Sequence, residues 1–230
     1  MTANGTGNVT RATGAARSNG TTIAQFEAFY GKRAASDLQV YREKGPRPWT
    51  RALVAALTAD GVDGSTLLDI GGGIGAIHHE LLDAGAASAT CVEASSGYLA
   101  AARDESERRG HVGRVTYRHG DFVDLASSIP RADIVTLERV LNVYADWERL
   151  ASLAAAHADR ILAVVVPRDT RFVRFVIGAM NLMLRLQRQQ LRAAVIPHDA
   201  IDRLARTAGL TLASSVAAGP AWQVLVFRRR

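Results

Sequence analysis

Apolar residues along the 230-residue chain fall into short blocks whose period switches between helix-like and strand-like spacing. Residues 23–60 alternate polar and apolar positions at helical spacing and break at "EKGPRPW", which predicts two helices joined by a turn. Strand-like runs follow in "STLLDI" (65–70), "ATCVEA" (89–94), "RVTYRHGDF" (114–122), "ADIVTLERV" (132–140) and "DRILAVVVPR" (159–168). Helical stretches separate them: about Ala76 to Ala84, then "SSGYLAAARDESERRG" with its Ser start and Gly stop, and "DWERLASLAAAHA". Strands alternating with helices at this interval require crossover connections and a mostly parallel sheet covered on both faces.

After Pro167 the rhythm changes. A long apolar and arginine-bearing segment, "TRFVRFVIGAMNLMLRLQRQQL", precedes a short helix near "HDAIDRLARTAG". The chain closes with "LTLASSV" and "AWQVLVFRR", separated only by "AAGP", so an antiparallel hairpin at the sheet edge is expected. The expected fold is α/β: a doubly wound, mostly parallel seven-stranded sheet with an antiparallel last strand and an N-terminal helical cap. Residues 1–22, rich in Gly, Thr, Ala and Asn, read as a disordered leader, residues 23–60 as cap helices, and residues 61–230 as one ligand-binding domain.

Composition narrows the setting. No segment reaches the roughly 18 uninterrupted apolar residues of a membrane span. The lone Cys91 lies in a strand-like run and reads as a small buried core residue, which places the chain in a reducing cytoplasm. The net charge of +6 is uneven: residues 168–230 hold eleven Arg and three Asp for +8, leaving −2 before them. A basic third of this kind suits nucleic acid, an anionic membrane surface, an acidic small substrate or simple solvation.

The chemistry gathers in "LLDIGGGIGAIHHE" (67–80), where an acid ends an apolar strand and glycines follow. Ligands of open α/β sheets settle at the carboxyl ends of the strands where the winding reverses, and the first strand usually marks that place. Gly71, Gly73 and Ala76 satisfy the looser dinucleotide spacing, so an NAD-type ligand is compatible with the loop. Asp69 argues against a pyrophosphate, because like charges would meet there. The same carboxylate suits a ligand with a cationic end.

"LLDIGGGIG" resembles motif I of the class I S-adenosylmethionine-dependent methyltransferases, here Asp69, Gly71, Gly73 and Gly75. Glu93 ends the next strand, 24 residues after Asp69, where an acid can accept hydrogen bonds from both ribose hydroxyls. "HGDF" resembles the methyltransferase pattern in which Asp121 would take the adenine amino group while Phe122 packs on the ring. Glu138, ending the fourth strand, completes the expected cofactor-binding set. The resemblance implies S-adenosyl-L-methionine as cofactor and a small-molecule methyl acceptor.

A weaker resemblance extends to the magnesium-protoporphyrin O-methyltransferases through "FEAFYGKRAASDLQVYREKG", "DIVTLERVLNVYADWERL" and "RILAVVVPRDTRFVRFVIGAMNLML". That family carries a His before the Tyr of its block after strand four, whereas Val143 precedes Tyr144 here. Tyr30, in the cap, is the candidate orienting or acid/base group. His78 and His79 read as surface residues or residues behind the site, and no metal-ligand spacing stands out. The segment Arg171 to Leu191 could line a pocket for a large apolar, carboxylate-bearing acceptor or lie on a membrane surface. Its plainest reading is a core-packed helix with a solvated face. Two alternatives stay open: an NAD-type oxidoreductase, and a non-catalytic module binding nucleic acid through the basic third. "LERVLNVY" lacks the Asn/Asp-Pro-Pro-aromatic turn common in nucleic-acid amine methylation, which argues against nucleic acid as the acceptor.

Overall fold

A computed structural model describes residues 26–27, 31–189 and 191–230. The expected leader, residues 1–22, and Tyr30 lie outside them. Two cap helices, α1 (Ala34–Lys44) and α2 (Pro48–Thr58), turn on Gly45 and Pro46, and Pro48 opens α2, where its missing N–H costs nothing. Strands and helices then alternate: β1 (Thr66–Ile70), α3 (Ala76–Asp83), β2 (Ser88–Glu93), α4 (Ser96–Arg109), β3 (Val115–His119), short α5 (Phe122–Leu125), β4 (Ala132–Glu138), α6 (Trp147–His157) and β5 (Ala158–Pro167). The chain ends in α7 (Arg171–Leu186), α8 (His198–Thr207), β6 (Leu210–Ala217) and β7 (Trp222–Arg229).

Among the described residues seven strands form one sheet in the order β3-β2-β1-β4-β5-β7-β6. β1 pairs in parallel with both β2 and β4, so the winding reverses between β1 and β4, as the alternation predicts. β7 runs opposite to the other strands, pairing antiparallel with β5 and β6. The hairpin therefore lies at the edge as expected, with β7 inserted inside it. The burial of the two strands explains that order. Val224 to Phe227 of β7 are all buried, whereas most of β6 is exposed or half-buried and suits the outer position.

Both sheet faces are packed. Leu68, Val135, Leu137, Leu162, Leu225 and Phe227 join α5, α6 and α8 on one side, and Leu67, Ile134, Ile161, Val165 and Val226 join α2 and α3 on the other. Successive residues of a strand thus feed opposite cores, which is why the strands read as continuous apolar runs. Helix α1 packs on α4 through Ala34, Leu38, Tyr41 and Ala101, and buried Glu105 of α4 ties them by accepting from Arg42 at 2.8 Å as well as from Arg108 and Arg109.

Two expectations change. "RVTYRHGDF" stops being strand at His119, because Gly120 takes a φ of 145° and Asp121 caps α5 through Val123 N–H at 2.9 Å. Helix α7 is not core-packed: Val173 is its only buried residue, while Phe172, Phe175, Leu182 and Leu186 are exposed. The basic third is partly neutralised by Arg174–Asp169, Arg203–Asp199, Arg206–Asp202 and Arg228–Asp60 ion pairs. No helix among the described residues is long and apolar enough to cross a membrane.

Candidate active site

The carboxyl ends of β1 to β4 open into a cleft of about 510 Å³, closed from above by residues of α1 and α2. The glycine turn forms its floor. Gly71, at φ 68°, lies so close to Val140 that an added Cβ would stand 2.5 Å from a Val140 methyl carbon, and its N–H donates to Val92 O at 2.7 Å. Only glycine meets both demands at once. Gly73 lines the cleft and donates its N–H to Glu93 Oε2 at 2.9 Å, while Gly75 lies behind the loop as the N-cap of α3.

Asp69 does not face the cleft. Its carboxylate is 1% exposed, accepts from Thr136 Oγ1 at 2.8 Å and meets His78 Nδ1 at 2.9 Å. The expectation that it meets a cationic ligand end is overturned: it braces the glycine loop from below. His78 and His79 are wholly buried, so neither is a surface residue. His79 contacts His111 Nδ1 at 3.0 Å, and burial together with His78 lowers it to about 3, so it stays neutral.

The remaining acids do line the cleft. Glu93 is held by two backbone donors, Gly73 N–H and Ser95 N–H at 2.8 Å, which fix its orientation, while burial raises its carboxyl despite those bonds. Asp121 accepts from Val123 N–H on one oxygen and from Tyr144 Oη at 2.8 Å on the other. Burial and the bond to Asp121 push the Tyr144 phenol far above its usual range, so it remains a donor. Phe122 is 3% exposed and packs edge-on against His157 at 5.2 Å while contributing to the cleft wall. Glu138 Oε1 accepts from Trp49 Nε1 at 2.8 Å, and its buried Oε2 has no partner among the described residues. Burial raises its carboxyl to about 7, against the bonds from Thr50 and Trp49.

β1, β2 and β3 are adjacent, so Glu93 and Asp121 stand on neighbouring strand ends beside the glycine loop, with Glu138 across it on β4. Sequence reasoning missed Trp49, Tyr98, Arg139 and Tyr144 as lining residues, and Trp222 behind Arg139. Tyr144 falls in the post-β4 block and was legible there. Arg139 carried a signal only in its neighbour Glu138, and the tryptophans carried none, since their approach depends on contacts between distant segments.

A methyltransferase domain model matches residues 67–162, which run from β1 into the first half of β5. Residues 67–162 are thus those of a methyltransferase domain, and the seven-stranded sheet is that of the class I methyltransferase fold. Among solved structures, the magnesium protoporphyrin IX methyltransferase of Synechocystis PCC 6803 with bound S-adenosylhomocysteine superposes with a TM-score of 0.69 at 20% identity, over 90% of this chain and 98% of that one. The mitomycin 7-O-methyltransferase gives 0.64 at 26% identity, over 92% of this chain and 62% of that one. Human N-acetylserotonin methyltransferase with S-adenosylmethionine gives 0.61 at 18% identity, over 90% and 57%. No curated protein sequence matches.

The methyltransferase domain matched over residues 67–162 favours methyl transfer over the NAD-type and non-catalytic alternatives, and two of these similar structures hold S-adenosylmethionine or its demethylated product. The cleft fits S-adenosylmethionine. A cationic nucleoside with hydroxyl and amino donors needs acceptors, and Glu93, Asp121 and the unpartnered Glu138 oxygen supply them around an open Gly73 surface where an added Cβ would meet only Tyr98, at 3.9 Å.

Proposed function

We propose that this methyltransferase transfers the methyl group to an oxygen of a small molecule that is large, apolar in part and carboxylate-bearing. Glu93 takes the ribose hydroxyls, Asp121 the adenine amino group with Phe122 beside the ring, Glu138 the ammonium of the methionine end, and the N–H groups around Gly71 and Gly73 border the same ligand. The cofactor supplies a methyl on a positively charged sulfur, so the protein's task is to hold the acceptor oxygen in line behind it. Positioning of this kind is worth roughly 7 to 11 kcal/mol.

The observation that carries this reading is the group of carboxylates around one cleft, Glu93, Asp121 and Glu138 at the strand ends with Asp37 from α1, in a described lining that contains no histidine. Val143 occupies the lining position beside Tyr144, and the Tyr144 phenol holds its proton. An acceptor that arrives already deprotonated, as a carboxylate oxygen does at neutral pH, needs no base from the protein. Tyr30 is the candidate orienting group from the cap. The similar mitomycin 7-O-methyltransferase and an O-methyltransferase family protein from Burkholderia thailandensis carry oxygen in their names, which supports oxygen as the acceptor atom. The buried Cys91 thiol suits a reducing cytoplasm.

The test is calorimetric titration of the protein with S-adenosylmethionine, S-adenosylhomocysteine and NAD, followed by a labelled-methyl screen over porphyrin, phenolic and carboxylate metabolites. Binding of both sulfur nucleosides without NAD, and label appearing as a base-labile ester or an ether, is expected. Label appearing only on nitrogen acceptors would refute the oxygen assignment.

A further inference from the structure

Arg139 follows the last residue of β4 and adopts a left-handed backbone, φ 61°, although no helix ends there. For a residue with a side chain this conformation costs about 1 kcal/mol or more and persists only where the surroundings impose it. Here the Arg139 N–H is tied to Val165 O of β5 at 3.0 Å. Its guanidinium carbon stands 4.9 Å from the Trp49 ring centre and 4.8 Å from that of Trp222, in the angle of two rings tilted by 50°. Trp49 comes from α2 and Trp222 from the start of β7, so three distant segments converge on one cation at the cleft wall.

The ring contacts hold the guanidinium without occupying its donors. Among the described residues no carboxylate pairs with it and no oxygen accepts from its N–H groups. The adjacent Glu138 is engaged by Trp49 and Thr50, and the lining residue Arg47 by contrast pairs with Asp37 at 3.8 Å. A planar fork with open edges and aromatic walls matches a carboxylate in two parallel hydrogen bonds. Its position indicates whose. The acids proposed for the nucleoside end stand on β2 and after β3, whereas Trp222 opens β7, three strands beyond β1 on the opposite flank.

The geometry points to Arg139, held by Trp49 and Trp222, as an anion subsite that takes a carboxylate of the methyl acceptor. This inference rests on the methyltransferase reading of the cleft proposed above and adds the residue that selects the acceptor.

The test uses the full chain saturated with S-adenosylhomocysteine and titrated with 4-hydroxybenzoate and with its uncharged counterpart, 4-hydroxybenzamide, by calorimetry and tryptophan fluorescence. The acid is expected to bind about tenfold tighter than the amide, and Arg139→Gln to remove that preference through loss of acid binding. Arg139→Lys is expected to retain part of it, and both variants to keep the wild-type affinity for S-adenosylhomocysteine, which also reports that they fold. Equal binding of acid and amide by the wild type, or unchanged acid binding in both variants, overturns the subsite. Weakened S-adenosylhomocysteine binding with acid binding intact assigns the guanidinium to the cofactor's own carboxylate and overturns the acceptor placement. Failure of the wild type to bind S-adenosylhomocysteine at all refutes the underlying reading of the cleft instead.

Discussion

Glu138→Gln should make the protein more stable and less able to bind its cofactor, and the two effects follow from one cause. Burial raises the Glu138 carboxyl from an ordinary 4.5 to about 7. The folded chain therefore keeps that proton through a pH range in which the unfolded chain has released it. Stability contributed by the site is lost as pH rises from the unfolded value towards 7 and is flat above it. At about 1.4 kcal/mol per pH unit the full cost is about 3 kcal/mol at pH 8. Glutamine carries no charge to bury, and its amide oxygen still accepts from Trp49. Its NH2 group replaces the unpartnered Oε2 and returns about 1 kcal/mol of that cost. A net gain of about 2 kcal/mol is expected at pH 8, shrinking towards zero or below near pH 5, as measured by urea unfolding at several pH values. Affinity for S-adenosylmethionine should fall about tenfold or more at pH 8, since a charge-assisted bond to its ammonium is lost. For the wild type, the same affinity should decline below pH 7 as Glu138 protonates. A pH-independent stability difference, or cofactor affinity untouched by the substitution, would refute both the burial argument and the assigned role.

Other outcomes follow from the same contacts. Asp69→Ala leaves the buried groups of His78 and Thr136 without their partner and should cost about 3 kcal/mol by urea unfolding, with the folded protein still binding cofactor; lost binding at unchanged stability would show that Asp69 meets the ligand after all. Gly71→Ala combines a left-handed backbone with a methyl pressed onto Val140 and should cost about 2 to 4 kcal/mol; an unchanged thermal midpoint would contradict the packing at that turn. Burial alone would raise the Glu105 carboxyl, but hydrogen bonds from Arg108, Arg42 and Arg109 hold it at about 2. Its contribution is present above the ordinary carboxylate range and is lost as pH falls towards 2, so Glu105→Gln should cost about 2 to 3 kcal/mol at pH 7 and nothing near pH 2, read from unfolding curves across that range.

Much of this molecule was legible in its residues. Strand ends at Ile70, Glu93 and Glu138, the cap-helix break at Gly45 to Pro48, and the β6–β7 hairpin all come from signals confined to a few neighbouring positions, where backbone propensity and burial period act together. The inward turn of Asp69 was not legible. A residue near the end of a strand buried on both faces can point its side chain into the core or the cleft, and the choice here depends on His78 one helix away and Thr136 on β4. The same limit hid the burial of His79 against His111 and the exposure of the apolar side of α7, whose spacing fits a packed helix equally well.

Periodicity thus determined the sheet and its winding from the chain alone, because both are written in local spacing, while the methyl-donor class came from the resemblance of "LLDIGGGIG" and "HGDF" to methyltransferase motifs. Tertiary structure decided which carboxylates reach the cleft and which support it. It also decided that Trp49, Arg139 and Trp222 meet, residues separated by 90 and 83 positions, because only the completed sheet order brings α2, β4 and β7 to one rim. Contacts of that range depend on register and packing summed over the whole fold, and no short window of sequence encodes them.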